Sequence, residues 1–111
     1  MNDAILRLYA AVQAARTGDP ETSRTAKLLQ GDPGKIAKKV GEEALEVGLD
    51  AVTGNRQAVI EESADLIYNL VVLWTTMDIA PDDVWAEMDR REKMMGIAEK
   101  LPKVKPAPAA P

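Results

Sequence analysis

Apolar residues recur at helical intervals through most of this chain. Near the start, Ile5, Leu8, Tyr9 and Val12 share one face, which predicts a helix over Asp3 to Ala15 with Asn2 or Asp3 as N-cap. The next stretch, TGDPETSRTAKLLQGDPG, is broken by Gly18, Pro20, Gly31, Pro33 and Gly34. It reads as a loop with one helical turn around Ala26 to Leu29. A second helix is expected from Lys35 to Val52, ended by the Thr53-Gly54-Asn55 turn, and a third from Gln57 to Met77. After a short link, Pro81 suits the first position of a fourth helix, with Asp82 and Asp83 in its first turn. Short links between the later helices imply antiparallel neighbours. The expected fold is all-α, an antiparallel bundle of about four helices.

That pattern stops at KLPKVKPAPAAP, which holds four of the seven prolines. Residues 1–98 are therefore expected to form the domain, and residues 99–111 a disordered Pro/Ala-rich tail. The chain has 111 residues and no Phe, so its core is drawn from Leu, Ile, Val, Ala and Met. A core this small gains from burial against a second copy, and a homodimer is expected.

Composition narrows the chemistry. With no cysteine and no histidine, the chain has no thiolate nucleophile and no imidazole base or ligand. Acid–base work and metal binding fall to carboxylates, amines, amides and hydroxyls. Such donors suit a hard cation, Mg²⁺ or Mn²⁺, better than zinc or copper. A net charge of −4 argues against nucleic acid or an anionic membrane as partner. With no long apolar run and no signal-like start, the expected location is the cytoplasm.

The acids are concentrated on the two central helices. In the second, Ile36, Val40, Ala44, Val47 and Ala51 define an apolar face, and Leu45, Leu49 and Val52 widen it past a half-circle. The remaining stripe carries Lys35, Lys39, Glu42, Glu43, Glu46 and Asp50. Taken alone, this is what a solvated face with Lys38–Glu42 and Lys39–Glu43 ion pairs looks like. In the third helix, LIYNLVVLW is apolar nearly all round, yet Glu62, Asp65 and Asn69 share a stripe leading into it. If the two helices are antiparallel, Glu43 and Glu46 come to face Glu62 and Asp65. Four acids meeting there repel unless cations lie between them, and one or two divalent ions fit that need. Exposed acids at a bundle end are the alternative.

The motif GEEALE followed by EESADLIY resembles the EExxE…ExxD signature of the all-α, MazG-like nucleoside-triphosphate pyrophosphatases. Within that superfamily, RTGDPETSRTAKLL, KIAKKVGEEALEV and DIAPDDVWAEMDRR are similar to the phosphoribosyl-ATP pyrophosphatases of histidine biosynthesis. The likeness runs from about Ile5 to Arg91.

The resemblance implies that Glu43, Glu46, Glu62 and Asp65 are metal carboxylates. Glu42 is then a further ligand or the group that orients the attacking water, with Glu46 also a candidate for the catalytic role. It implies hydrolysis of phosphoribosyl-ATP to phosphoribosyl-AMP and pyrophosphate, with Mg²⁺ or Mn²⁺ as cofactor. Ser23, Arg24, Thr25, Lys27, Lys35, Lys38, Lys39 and Asn69 become candidates for the substrate's phosphates and sugars. Two positions depart from the family's habit, which has Tyr-His at Tyr68-Asn69 and Ser-Tyr-Thr at Ser23-Arg24-Thr25. Asn69 can exchange hydrogen bonds but takes up no proton near neutral pH. Two other readings stand beside this one: a pyrophosphatase of other nucleoside triphosphates, and a catalytically silent helical interaction module. Trp74, Trp85, Met94 and Met95 are expected in the core or at a dimer contact.

Overall fold

The computed structural model describes residues 3–95; the tail expected over 99–111 lies outside them. Five helices and no strand are present among the described residues: α1 (Ala4–Ala15), α2 (Arg24–Gln30), α3 (Pro33–Val52), α4 (Arg56–Thr76) and α5 (Pro81–Met95). The chain divides into two compact units after Pro81.

The segment expected to form one turn inside a loop is instead the seven-residue helix α2. Ser23 starts it, with an extended backbone and a side-chain oxygen that accepts from the Ala26 amide at 3.1 Å. Helix α3 begins two residues earlier than expected, because Asp32 caps the Gly34 amide at 3.0 Å and Pro33 needs no hydrogen bond at a first helical position. Asn55 opens α4 in the same way, accepting from the Ala58 amide at 3.1 Å.

Helices α3 and α4 double back on each other across Thr53-Gly54-Asn55, forming the most extensive helix pairing of the first unit. The turn is a Schellman closure. The Asn55 amide donates to the Asp50 carbonyl at 3.0 Å and the Gly54 amide to Ala51 at 3.1 Å. Gly54 sits at φ 75°, which a side chain would strain. The same closure ends α4, with Ile79 donating to Trp74 and Asp78 in the left-handed region at φ 56°. Asp78 also meets the Arg16 guanidinium at 3.3 Å, tying the end of α4 to the end of α1.

Val12 of α1, Ile36 of α3, and Val71 and Val72 of α4 form the buried centre. Ile5, Leu8, Tyr9, Leu28, Leu29, Tyr68, Leu73 and Trp74 pack around it. Each such buried side chain contributes about 1.5–3 kcal/mol. Trp74, partly buried, packs against this core, one of the two placements expected for it; Met94 is 66% exposed and so lies outside the core. Two polar contacts fix α2 in place. The Thr25 and Tyr68 hydroxyls lie 2.6 Å apart, and the Gln30 amide donates to the Gly18 carbonyl at 2.9 Å. In the second unit, α5 holds Glu87 between Arg90 and Arg91, whose hydrogen bonds lower its carboxyl to about 2.

Candidate functional site

The helical hairpin brings together acids that are far apart in sequence. One carboxylate oxygen from each of Glu43, Glu62 and Asp65 lies within 4.8 Å of the others. Glu43 comes from the middle of α3; Glu62 and Asp65, one helical turn apart, come from α4. Helix geometry thus aims two oxygens from one helix and one from its partner at a single point.

The electrostatics of this trio are those of like charges held at one point. Glu43 Oε2 is buried and has no hydrogen-bond partner among the described residues. Three carboxylates this close together repel one another. Glu62 is accordingly pushed up to about 7, first by hydrogen bonding with Glu43 and then by desolvation and the charges of Glu43, Glu46 and Asp65. Three hard oxygens with an orphaned acceptor fit a divalent cation such as Mg²⁺.

The other expected site residues are distributed around this centre. Glu46 is exposed and stands outside the trio, although its charge is felt at Glu62. Glu42 is exposed, with its carboxylate 3.8 Å from the Lys38 ammonium, the ion pair anticipated on a solvated stripe. Asn69 is only 5% exposed, and its amide donates to the Asp65 carbonyl at 2.9 Å. Its side chain is engaged within α4, one turn beneath the acid trio, instead of standing open to a ligand. Ser23 is occupied as a helix cap, and Thr25 is held by Tyr68.

Arg24, Lys27, Lys35 and Lys39 behave differently. Together with Leu28 and Asp32 they line a hollow of about 380 Å³ between α2 and the start of α3. The N-cap role of Asp32 and the Thr25–Tyr68 contact are the features that sequence reasoning missed. An Asp-Pro-Gly run before a periodic segment signals the first; nothing local signals the second.

Comparison with known proteins bears on what this arrangement serves. Residues 6–92 match the family described as phosphoribosyl-ATP pyrophosphohydrolase. The chain belongs to the phosphoribosyl-ATP pyrophosphohydrolase family. A relative from Rhodopseudomonas palustris, named phosphoribosyl-ATP pyrophosphatase 2, is 63% identical over 112 residues, covering 100% of this chain and 86% of its own length. One of the same name from Bradyrhizobium diazoefficiens is 62% identical, covering 93% of this chain and 77% of its own length. The phosphoribosyl-ATP pyrophosphatase of Gluconobacter oxydans is 48% identical, covering 89% of this chain and 74% of its own length. Membership spans α1 to α5 and includes both helices of the acid trio. It sets aside the reading as a silent interaction module.

Proposed function

We propose that this chain hydrolyses phosphoribosyl-ATP between its α and β phosphates, giving phosphoribosyl-AMP and pyrophosphate in histidine biosynthesis. The observation that carries the reading is the convergence of Glu43, Glu62 and Asp65 in a chain of this family.

Glu43, Glu62 and Asp65 would hold a divalent cation, Mg²⁺ with Mn²⁺ able to replace it, and Glu46 lies close enough to add its charge. When bound, such an ion neutralises polyphosphate charge and polarises phosphoryl oxygens. The protein's own part is to orient the triphosphate and to manage one proton. Water adds its oxygen to phosphorus, the bridging P–O bond breaks toward pyrophosphate, and a carboxylate takes the water's proton. Glu46 and Glu42 are the candidates for that carboxylate, being exposed and outside the trio. Asn69, bonded to the Asp65 carbonyl, stiffens the turn that presents Asp65.

The active form is a homodimer. Leu45, Leu49 and Val52 on α3 are 63%, 56% and 86% exposed, and Ile60 and Ile67 on α4 add a second apolar stripe. These are the residues that widen the apolar face of α3 beyond what one hairpin can cover. A second copy presenting the same stripes would cover them. No helix among the described residues is long and apolar enough to cross a membrane, so this face has no role as a bilayer span. The setting is the cytoplasm.

The reaction is tested by following pyrophosphate release from phosphoribosyl-ATP with and without chelator. Metal-dependent release supports the reading, and release of orthophosphate alone contradicts it.

A further inference from the structure

The hollow between α2 and α3 is lined by four cationic side chains, Arg24, Lys27, Lys35 and Lys39, against one carboxylate, Asp32. That carboxylate is already committed to the Gly34 amide as the cap of α3. Among the described residues, none of the four cations forms an ion pair. In a chain with net charge −4, four unpaired cations converging on one cavity mark a place where an anion supplies the missing charge.

The position of the hollow selects the anion. Lys35, Lys39 and Glu43 are four residues apart on α3 and so lie on one stripe, which runs from the hollow to the acid trio. Lys39 is about 6 Å from Glu43 along the axis and Lys35 about 12 Å, at 1.5 Å per residue. A triphosphate centred on the trio brings its end toward Lys39. Lys35 lies beyond it, in the hollow that Arg24 also lines. Phosphoribosyl-ATP carries one further phosphate, the monoester on its second ribose, and that group distinguishes it from ATP.

Resting on the reading given under Proposed function, we propose that this hollow seats the phosphoribosyl monophosphate, and that Arg24 and Lys35 set the preference for phosphoribosyl-ATP over ATP. Arg24 offers a planar fork of donors matched to a phosphate dianion, and Lys35 offers a point charge beside the N-terminus of α3. Both side chains are exposed, so replacing them spares the core.

The test has two arms, using the parent and the Arg24→Gln/Lys35→Gln variant. In the first, kcat/KM for pyrophosphate release is measured with phosphoribosyl-ATP and with ATP. The ratio between the two substrates is expected to fall by roughly 10-fold or more in the variant, through a higher KM for phosphoribosyl-ATP. A proportional loss on both substrates assigns the cations to the triphosphate and overturns the proposal, as does an unchanged ratio. In the second arm, ribose 5-phosphate is titrated in chelator while backbone amide shifts are followed. Shifts confined to residues 24–39 and abolished in the variant support the seat; none in the parent overturns it. The second arm involves no turnover. A parent that binds ribose 5-phosphate there yet releases no pyrophosphate therefore refutes the proposed reaction and leaves the seat standing.

Discussion

Glu43 of α3 and Glu62 of α4 present carboxylate oxygens within 4.8 Å of each other, and this closeness raises the Glu62 carboxyl to about 7. The consequence for stability has a definite sign. An unfolded Glu titrates near 4.5, so the folded state holds this proton more tightly. The contribution is fully present below pH 4.5 and is lost as pH rises through about 7. In chelator, the melting temperature should therefore fall between pH 5 and pH 8. Glu62→Gln should flatten that dependence. Saturating Mg²⁺ should reverse it, since binding deprotonates the site and stabilises the folded form more at higher pH. Calorimetric melts across this range check all three; a parent curve rising toward pH 8 in chelator contradicts the repulsion.

Asp65→Asn separates a metal ligand from a structural acid. The amide keeps the shape, removes one charge from the trio and is a poorer donor to a hard cation. Turnover is expected to drop ~100-fold or more, because altering even an outer partner of a metal site costs 10–100-fold. In chelator the variant should melt at or above the parent's temperature. An acid serving a structural ion pair gives the opposite: a lower melt and an unchanged Mg²⁺ shift.

The Thr25–Tyr68 contact at 2.6 Å is a side-chain hydrogen bond linking α2 to α4. Thr25→Val and Tyr68→Phe should each cost about 1 kcal/mol, or roughly 4–8 °C in Tm. The double variant should cost little more than either, because both remove the same bond. Strict additivity in a double-mutant cycle shows that the contact contributes nothing.

Much of this could be read from the chain, and the residues show why. Glu43, Glu62 and Asp65 are legible because helical spacing and the three-residue turn at Thr53-Gly54-Asn55 leave α3 and α4 one way to pair. Helix α2 is hidden because seven residues span about two turns, too short for a periodic pattern between glycines and prolines. Asn69 illustrates a different limit. Sequence places it on the acid stripe, but only the packing of Val71, Val72 and their neighbours decides that it is buried and turned to the Asp65 carbonyl. Glu46 fits the motif equally well, yet three residues at ~100° each put it roughly 60° from Glu43 around α3, exposed beside the trio.

The exposed stripe of Leu45, Leu49 and Val52 predicts self-association. Sedimentation should give a dimer for the parent and a monomer for Leu45→Glu/Leu49→Glu, since two charges buried in each copy's interface are strongly unfavourable. If the double variant sediments with the parent, a different surface covers these residues or none does.

The central claim is tested most directly by initial rates of pyrophosphate release with phosphoribosyl-ATP and with ATP, each in Mg²⁺ and in chelator. The predicted result is release that requires the metal, yields phosphoribosyl-AMP in equal amount and favours phosphoribosyl-ATP over ATP. Equal turnover of the two substrates, or undiminished release in chelator, would contradict it.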